Sequence, residues 1–155
     1  MKRLDFENGD SYEGQVEDCI IRNKRANCMQ GTGVYSIQNT YRYEGSFNNN
    51  KPHGYGLFYS ENGQSYEGNF IDGSIEGKGV MIYPDGRQYK GYFKNNNKSG
   101  YGVMIYPEGE IYGEGSRYEG YWKRNKRNGK GVMIYLDDGR RLEGLFKENV
   151  YIEES

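Results

Sequence analysis

Histidine, the side chain most often used in acid–base catalysis, is nearly absent from this chain of 155 residues. His53 is the only histidine, so any Ser-His-Asp or Cys-His arrangement would have to include it. It lies in Lys51-Pro52-His53-Gly54, a composition typical of a hairpin turn. We therefore predict that His53 is a turn residue, with a catalytic or metal-binding role as the alternative, and that the chain is not an enzyme.

The two cysteines, Cys19 and Cys28, are nine residues apart and form no Cys-x-x-Cys pair. Two cysteines cannot hold a chain of this length together as a disulfide framework does. The spacing favours free thiols in one loop, and a local redox or zinc role is the alternative. We predict no cofactor and no metal site.

Glycine pairs such as Gly77-Lys78-Gly79 and Gly129-Lys130-Gly131 invite comparison with nucleotide-binding loops. None of them completes Gly-x-x-x-x-Gly-Lys-Ser/Thr, and none precedes a predicted helix. The Asp-Gly turns likewise lack the spaced acidic ligands of a calcium loop. Because the glycine pairs recur along the chain at a regular spacing, we predict that their role is structural.

Composition excludes several further classes of protein. A net charge of -1 gives no overall attraction to nucleic acid, which we do not expect as a partner. A mean hydropathy of -1.04 argues against a large conventional core, although 17 tyrosines and 6 phenylalanines can bury much area. No apolar run follows Met1-Lys2-Arg3 and no apolar segment is long enough to span a membrane, so we expect a soluble cytoplasmic protein.

A repeat that begins at each Tyr-x-Gly organises the chain. Successive starts are 31, 23, 23, 29 and 24 residues apart, counted along the sequence. A period this short predicts a stacked array of small units and not a globule around one core. The starts are Tyr12, Tyr43, Tyr66, Tyr89, Tyr118 and, in a degenerate copy, Leu142.

The regular repeat at residues 66–88 predicts a β-hairpin. Its first half, Tyr66-Glu67-Gly68-Asn69-Phe70, alternates in the manner of a strand. Its second half, residues 77–83, is β-branched and aromatic, and Pro84-Asp85-Gly86 ends it. Glycine at alternate positions leaves slots in which rings of the adjoining strand can lie flat. We predict an all-β fold, an antiparallel sheet of consecutive hairpins with 11 or 12 strands.

We predict a single array over residues 1–155 with two long insertions and a last turn, Asp137-Asp138-Gly139, that is one residue longer than the others. The domain consists of a half-repeat cap (1–11), repeats 1 to 5 (12–42, 43–65, 66–88, 89–117 and 118–141), and a partial repeat with a cap (142–155). Residues 19–28 lengthen the tip of repeat 1, and residues 110–115 lengthen the connection after repeat 4. The first insertion is either a tolerated loop or, because Ile20 and Ile21 lie beside cations, a protrusion that contacts a partner or a membrane.

The pattern Tyr-Glu-Gly-x-Phe/Trp, an eight-residue gap, Gly-x-Gly-Val and Tyr-Pro-Asp-Gly closely resembles the MORN repeat (membrane occupation and recognition nexus). The resemblance covers five full copies and a half copy at each end; the insertions, the missing closing glycine of repeat 1 and Leu142 depart from it. It implies an elongated, curved, single-layer sheet and a scaffold in cytoskeletal, axonemal, cortical or membrane-junction assemblies. It also implies binding to segments of partner proteins and, as a further property, to phospholipid.

Stacking the repeats aligns large apolar side chains in columns on one face, here called the aromatic face. We predict that this face binds an extended or helical segment of a cytoskeletal, motor or axonemal protein. The alternative is that curvature and long polar neighbours close it. The predicted binding residues are Tyr43, Phe47, Phe58, Tyr66, Phe70, Met81, Tyr89, Phe93, Met104, Tyr118, Trp122 and Met133.

The hairpin tip of repeat 5 carries four cations, Lys123, Arg124, Lys126 and Arg127, here called the basic tip. A solvated tip is the simplest interpretation. The alternative is that the basic tip binds an anionic phospholipid surface, which would make the protein a membrane adaptor. A homodimer that forms through an end edge of the sheet is also compatible with the sequence.

Overall fold

The computed structural model describes residues 1–110 and 112–153, and its regular structure within them is β-strand. Thirteen strands form one antiparallel sheet in which the strand order follows the sequence. The all-β prediction is therefore confirmed, with one or two strands more than expected. The strands are β1 (Lys2–Asp5), β2 (Ser11–Ile21), β3 (Lys24–Ile37), β4 (Tyr41–Asn48), β5 (Lys51–Ser60), β6 (Ser65–Ile71), β7 (Ser74–Ile82), β8 (Gln88–Lys94), β9 (Asn97–Tyr106), β10 (Ser116–Lys123), β11 (Lys126–Tyr135), β12 (Arg141–Lys147) and β13 (Val150–Ile152).

The chain divides into two compact parts, the N-terminal body (Met1–Ile75) and the C-terminal body (Glu76–Ser155). The dividing point falls inside β7. The repeat boundaries that we predicted for residues 1–155 are not tested by this division and stay a prediction.

Tyrosine rings in glycine slots form the core of each body. The Tyr89 ring lies on Gly102 of the next strand, where a Cβ atom would be 2.5 Å from the ring carbon Cε2. The register shifts between Gly91 and Phe93, and the carbonyl of the intervening Tyr92 accepts the Tyr89 hydroxyl hydrogen bond at 2.9 Å. The same ring-on-glycine contact recurs at Tyr12 on Gly33, Tyr43 on Gly56 and Tyr118 on Gly131. The predicted glycine slots are confirmed.

The rings also pack edge to face from one hairpin to the next. Tyr118 contacts Trp122 of its own strand at a centroid distance of 5.2 Å and Phe146 of the next hairpin at 5.0 Å. In the N-terminal body, Tyr43 contacts Phe47 and Phe70, both at 5.0 Å. Each tyrosine thus links two hairpins, and the core is a layer of rings on one face of the sheet.

Two-residue turns at the hairpin tips attach each hairpin to the one before it. Both residues of a turn have positive φ, for example Asn49 at 47° and Asn50 at 68°, the geometry of a type I′ turn. The Asn50 amide then donates to the Met29 carbonyl at 3.0 Å, and its Oδ1 accepts from the Met29 amide at 2.7 Å. Asn125 makes the same pair of bonds to Lys98, and Asn149 makes them to Arg127.

The prediction that His53 is a turn residue is wrong, because His53 lies in β5, beyond the turn at Asn49 and Asn50, and it supports the turn of the next hairpin instead. Its Nδ1 accepts the backbone N–H of Asp72, the first residue of the next turn, at 3.3 Å. Side-chain oxygens do the same at the corresponding positions: Gln30 Oε1 accepts from Asn49 at 3.0 Å, and Glu76 Oε1 accepts from Asn95 at 2.9 Å.

The prediction of a loop with free thiols at residues 19–28 is wrong. These residues continue β2 and β3 to a turn at Arg22 and Asn23, so the insertion is a two-stranded extension of the sheet. Cys19 pairs with Ala26 and Cys28 with Glu17, which makes the cysteines diagonal neighbours on one face of the ribbon. They form a disulfide with a Cα–Cα distance of 5.8 Å.

Candidate partner-binding surfaces

The side chains predicted to bind a partner on the aromatic face form the core instead of an open groove. Eleven of the twelve are buried, and only Phe58 is half-buried. The burial of these rings agrees with the alternative interpretation, in which neighbouring groups close the aromatic face. A partner on the aromatic face would meet the groups that cover the rings, so binding there stays a prediction. The buried residues are Tyr43, Phe47, Tyr66, Phe70, Met81, Tyr89, Phe93, Met104, Tyr118, Trp122 and Met133.

Lys98 covers the rings of the C-terminal body near β9. Its side chain is buried, and its ammonium lies 5.2 Å from the ring centroid of Tyr83, 5.4 Å from that of Trp122 and 5.8 Å from that of Tyr89. The Lys98 Nζ donates a hydrogen bond to the Tyr83 hydroxyl at 2.9 Å. Burial, and to a lesser degree the charge of Arg87, lowers the Lys98 pKa to about 8.

Arg127 lies at the corresponding position one hairpin later. Its guanidinium is 5.7 Å from the ring centroids of both Tyr118 and Phe146. One nitrogen donates to the carbonyl of Asn149 at 2.9 Å. The aromatic layer of the C-terminal body is therefore covered by cations whose stems pack on the rings.

Part of the insertion at residues 110–115 is fixed to the rim of the aromatic face. The Tyr112 hydroxyl donates to Asp85 Oδ2 at 2.6 Å, and Arg87 Nε donates to the same oxygen at 2.8 Å. The bond from Tyr112 is the largest cause of a lowered Asp85 pKa. Residue 111 of this insertion lies outside the described residues.

The opposite face of the C-terminal body, here called the open face, carries exposed large side chains. Cross-strand pairing places Tyr101 beside Tyr121, with ring centroids 5.7 Å apart. Tyr101 is 46% exposed and Tyr121 is 49% exposed, in contrast to the buried rings behind them. Exposed apolar neighbours on this face are Ile82, Tyr92, Ile105 and Leu145.

A depression of about 390 Å³ lies beside these tyrosines. Val132 lines it together with Tyr101 and Tyr121, and Lys130, Glu119 and Glu143 bring charges to it. No binding site was predicted here from the sequence. The signal was present, because tyrosine at the middle of Gly-x-Gly or directly after Tyr-x-Gly must point away from the glycine slots.

Carboxylates flank apolar side chains in the N-terminal body, as Glu119 and Glu143 flank Val132 in the C-terminal body. Cross-strand pairing places Val34 between Glu13 and Glu44, and places Leu57 between Glu44 and Glu67. The exposed Tyr55 hydroxyl is bound to the Glu67 carboxylate. Carboxylates therefore flank the apolar side chains in this body.

The basic tip is only partly free. Lys126 forms an ion pair with Glu148 at 2.5 Å, which lowers the Glu148 pKa, and Arg127 is engaged with Asn149. Lys123 and Arg124 are exposed, and no ion pair joins them to another of the described residues. Lipid binding by the basic tip is untested and stays a prediction.

Two structural absences concern other classes of site. Within residues 1–110 and 112–153, no three His, Cys, Asp or Glu side chains are grouped so that they could hold a metal ion. In the same part of the chain, no helix has the length and apolar character needed to cross a bilayer.

Comparison with known proteins gives one family. The model of the MORN repeat matches residues 43–65, 66–86, 89–111 and 118–140, which together make up more than half of the chain. These segments correspond to repeats 2 to 5. Repeat 1, with its disulfide-linked extension, is outside the match. A search of curated proteins found no match to the chain.

Proposed function

This chain belongs to the MORN repeat family, a non-catalytic interaction module, and on that premise we propose that it is a protein-interaction scaffold without enzymatic activity. The proposed site is the open face of the C-terminal body, where a segment of a partner lies across the strands. The partner is a protein of cytoskeletal, motor or axonemal assemblies, an expectation that rests on the family resemblance.

The observation that carries this proposal is the pair of exposed rings at Tyr101 and Tyr121 beside the depression of about 390 Å³. Tyrosine supplies a large contact area with few rotatable bonds, which makes it frequent among the residues that dominate binding energy. Neither ring is needed for the core, because the buried layer lies on the other face. Contiguous exposed apolar side chains on a sheet mark an interaction surface.

Charge on the open face indicates what else the partner presents. Arg117 is paired with Glu119 at 2.8 Å, and Arg141 with Glu143 at 3.8 Å. The open face also carries Lys78, Lys90 and Lys130. No ion pair joins these lysines to another of the described residues. A complementary segment carries apolar side chains interspersed with carboxylates.

The test is affinity capture from the protein's own cells with matched variants. We expect the double variant Tyr101→Ser, Tyr121→Ser to lose the proteins that the unchanged chain enriches, with circular dichroism showing an unchanged fold. The control variant Lys123→Glu, Arg124→Glu alters the basic tip and retains them. Equal capture by the tyrosine variant would contradict the open-face site.

Binding along the aromatic face, membrane attachment through the basic tip and homodimer formation remain alternatives. Flotation of the same purified variants with liposomes containing phosphatidylserine distinguishes membrane attachment through the basic tip from the other two alternatives. Loss of flotation only in the basic-tip variant supports a membrane adaptor. Sedimentation at several concentrations tests the homodimer against a mass of 17.9 kDa.

A further inference from the structure

Lys98 is a buried cation for which the described residues supply no anionic partner. Only 6% of the residue is exposed, and its one hydrogen-bond acceptor is the neutral phenol of Tyr83 at 2.9 Å. An ammonium group has three N–H donors. Contacts with rings offset part of the lost hydration, but they do not occupy the remaining donors as an oxygen atom would.

The Asp85 carboxylate, the ion-pair partner of Arg87, is already engaged with other donors. Asp85 accepts hydrogen bonds from Arg87 at 2.8 Å and from Tyr112 at 2.6 Å. Arg87 lies close enough to Lys98 for its charge to oppose that of the ammonium. Arg127 adds another cation to the same face beyond Trp122.

Packing of the sheet does not require a charge at this position. Lys98 lies opposite Phe93 in the ladder, and the residue opposite Phe47 in the N-terminal body is Pro52. Met29 has the corresponding position in repeat 1, opposite Val16. An apolar residue therefore serves the core in those hairpins, and the lysine brings a charge that the fold itself leaves unbalanced.

We propose that the aromatic face of the C-terminal body contains a receptor for a carboxylate of an acidic protein segment, with Lys98 as the buried anchor. Arg87 and Arg127 are the flanking cations. A glutamate carboxylate that reaches the Lys98 ammonium accepts hydrogen bonds from it, in addition to the bond that Lys98 donates to the Tyr83 hydroxyl. This site is on the face opposite to the open face, so a scaffold with both sites holds two segments at once.

The recessed position of Lys98 favours a protein side chain over a lipid surface. A headgroup layer meets a protein along a broad front and reaches exposed cations, whereas only 6% of Lys98 is exposed. A flexible carboxylate side chain on an extended segment can enter such a site. Free phosphate offers the same oxygen chemistry and is therefore a separate arm of the test.

The only tryptophan of the chain reports on this site, because the Trp122 ring centroid is 5.4 Å from the Lys98 ammonium. The experiment titrates the purified full chain with an octaglutamate peptide at low ionic strength and follows tryptophan fluorescence. We expect a saturable change that Lys98→Met weakens by at least tenfold and that Arg127→Gln weakens by a smaller factor. Octaglutamine produces no saturable change.

The matched control is Lys51→Met, an exposed lysine of the N-terminal body that belongs to neither proposed site, and it leaves the octaglutamate affinity within twofold of that of the unchanged chain. Circular dichroism and thermal unfolding establish that Lys98→Met is folded. Equal affinity for Lys98→Met, or no saturable response of the unchanged chain, overturns the proposal. A stronger response to inorganic phosphate or to phosphatidylserine vesicles also overturns the assignment to a protein segment. Failure of the open-face proposal is separate, because Tyr101→Ser, Tyr121→Ser affects partner capture and not this titration.

Discussion

At the scale of single residues, the pairing of tyrosine with glycine explains the composition of the chain. Each buried tyrosine occupies the volume that a side chain on the next strand would take, so ring and glycine are needed together. The hydroxyl is satisfied at the edge of the slot by a carbonyl at a bulge, as Tyr118 is by Tyr121 at 3.1 Å. A low overall hydropathy is compatible with a stable fold because the buried area is aromatic.

Gly102→Ala tests this packing. The added methyl group would overlap the Tyr89 ring, so we expect a loss of about 3 kcal/mol or more in the free energy of unfolding. Chemical denaturation measures the loss. The control is Gly139→Ala, at a turn position with φ of 69° and open space around it, which costs only about 1 kcal/mol of backbone strain. Similar losses for the two variants would contradict the slot.

Lys98→Met tests the cost of the buried charge. The Lys98 pKa is about 8 in the fold and 10.5 in the unfolded chain, so the unfolded state binds more protons between these values. The stability of the unchanged chain therefore rises with pH across this window, whereas the variant lacks that gain. At pH 7 we expect the variant to be equally stable or more stable by up to about 2 kcal/mol, since ring contacts offset part of the cost.

The difference between the two proteins should narrow between pH 8 and pH 9.5, where denaturation is measured before most tyrosines titrate. Comparing the difference, and not either protein alone, cancels the contributions of the tyrosines and of Arg87. A stability difference that stays constant across this range would argue against the lowered pKa.

At the scale of strands and turns, each addition to the regular hairpin is fixed by its own contacts. The extension of β2 and β3 carries a disulfide, and the insertion after β9 is anchored through Tyr112. The tips are held by their asparagines. These features add to the sheet without interrupting the tyrosine layer.

Reduction of Cys19 and Cys28 with a phosphine should loosen the extension alone. Only the two strands of the ribbon hold residues 18–27, since β4 pairs with β3 over residues 31–37 and not beyond. We expect amide hydrogen exchange in 18–27 to accelerate by at least tenfold, because the cross-link restricts the open state. Exchange in β8 to β11 provides the internal reference. Unchanged exchange in the ribbon would mean that the disulfide does not stabilise it.

Tyr112→Phe should raise the Asp85 pKa toward its ordinary value. The hydroxyl hydrogen bond is the largest cause of the lowered pKa, and Arg87 remains in place as a smaller one. A carbon-13 NMR titration of the Asp85 carboxyl group measures the change. Tyr106→Phe removes a neighbouring hydroxyl that forms no bond to Asp85 and serves as the control. An unaltered titration in Tyr112→Phe would show that the insertion is not anchored in this way.

The hairpins and their turns were predictable from the sequence, but the extension was not. Alternation in residues 66–83 and the asparagine-rich tips predict strands and turns directly. Residues 18–27 contain Asp18, Asn23 and Asn27, which disfavour strands. The two halves of this segment have low strand propensity individually and form strands by pairing with each other. The register of this pairing brings Cys19 and Cys28 together. The spacing of the two cysteines in the sequence does not specify that register.

At the scale of the whole molecule, the sheet of each body has one face that forms its core and one face that carries exposed side chains. The alternation predicted both faces correctly, but it did not indicate which face would be closed. Tyr89 and Tyr101 are the same residue type, and only the slot at Gly102 and the rings of the next hairpin bury the first of them. The predicted binding residues therefore became core residues, and the exposed tyrosines behind them became the candidate site.

Tyrosine nitration with mass spectrometry tests this assignment of the two faces most directly. Nitration requires an accessible ring that can ionise, and burial raises the pKa of Tyr118 to about 12. We expect modification of Tyr101 and Tyr121, protection of Tyr89 and Tyr118, and loss of reactivity at Tyr101 and Tyr121 when the captured partner is bound. Nitration of Tyr89 and Tyr118 in the folded protein, with Tyr101 and Tyr121 protected, would contradict it.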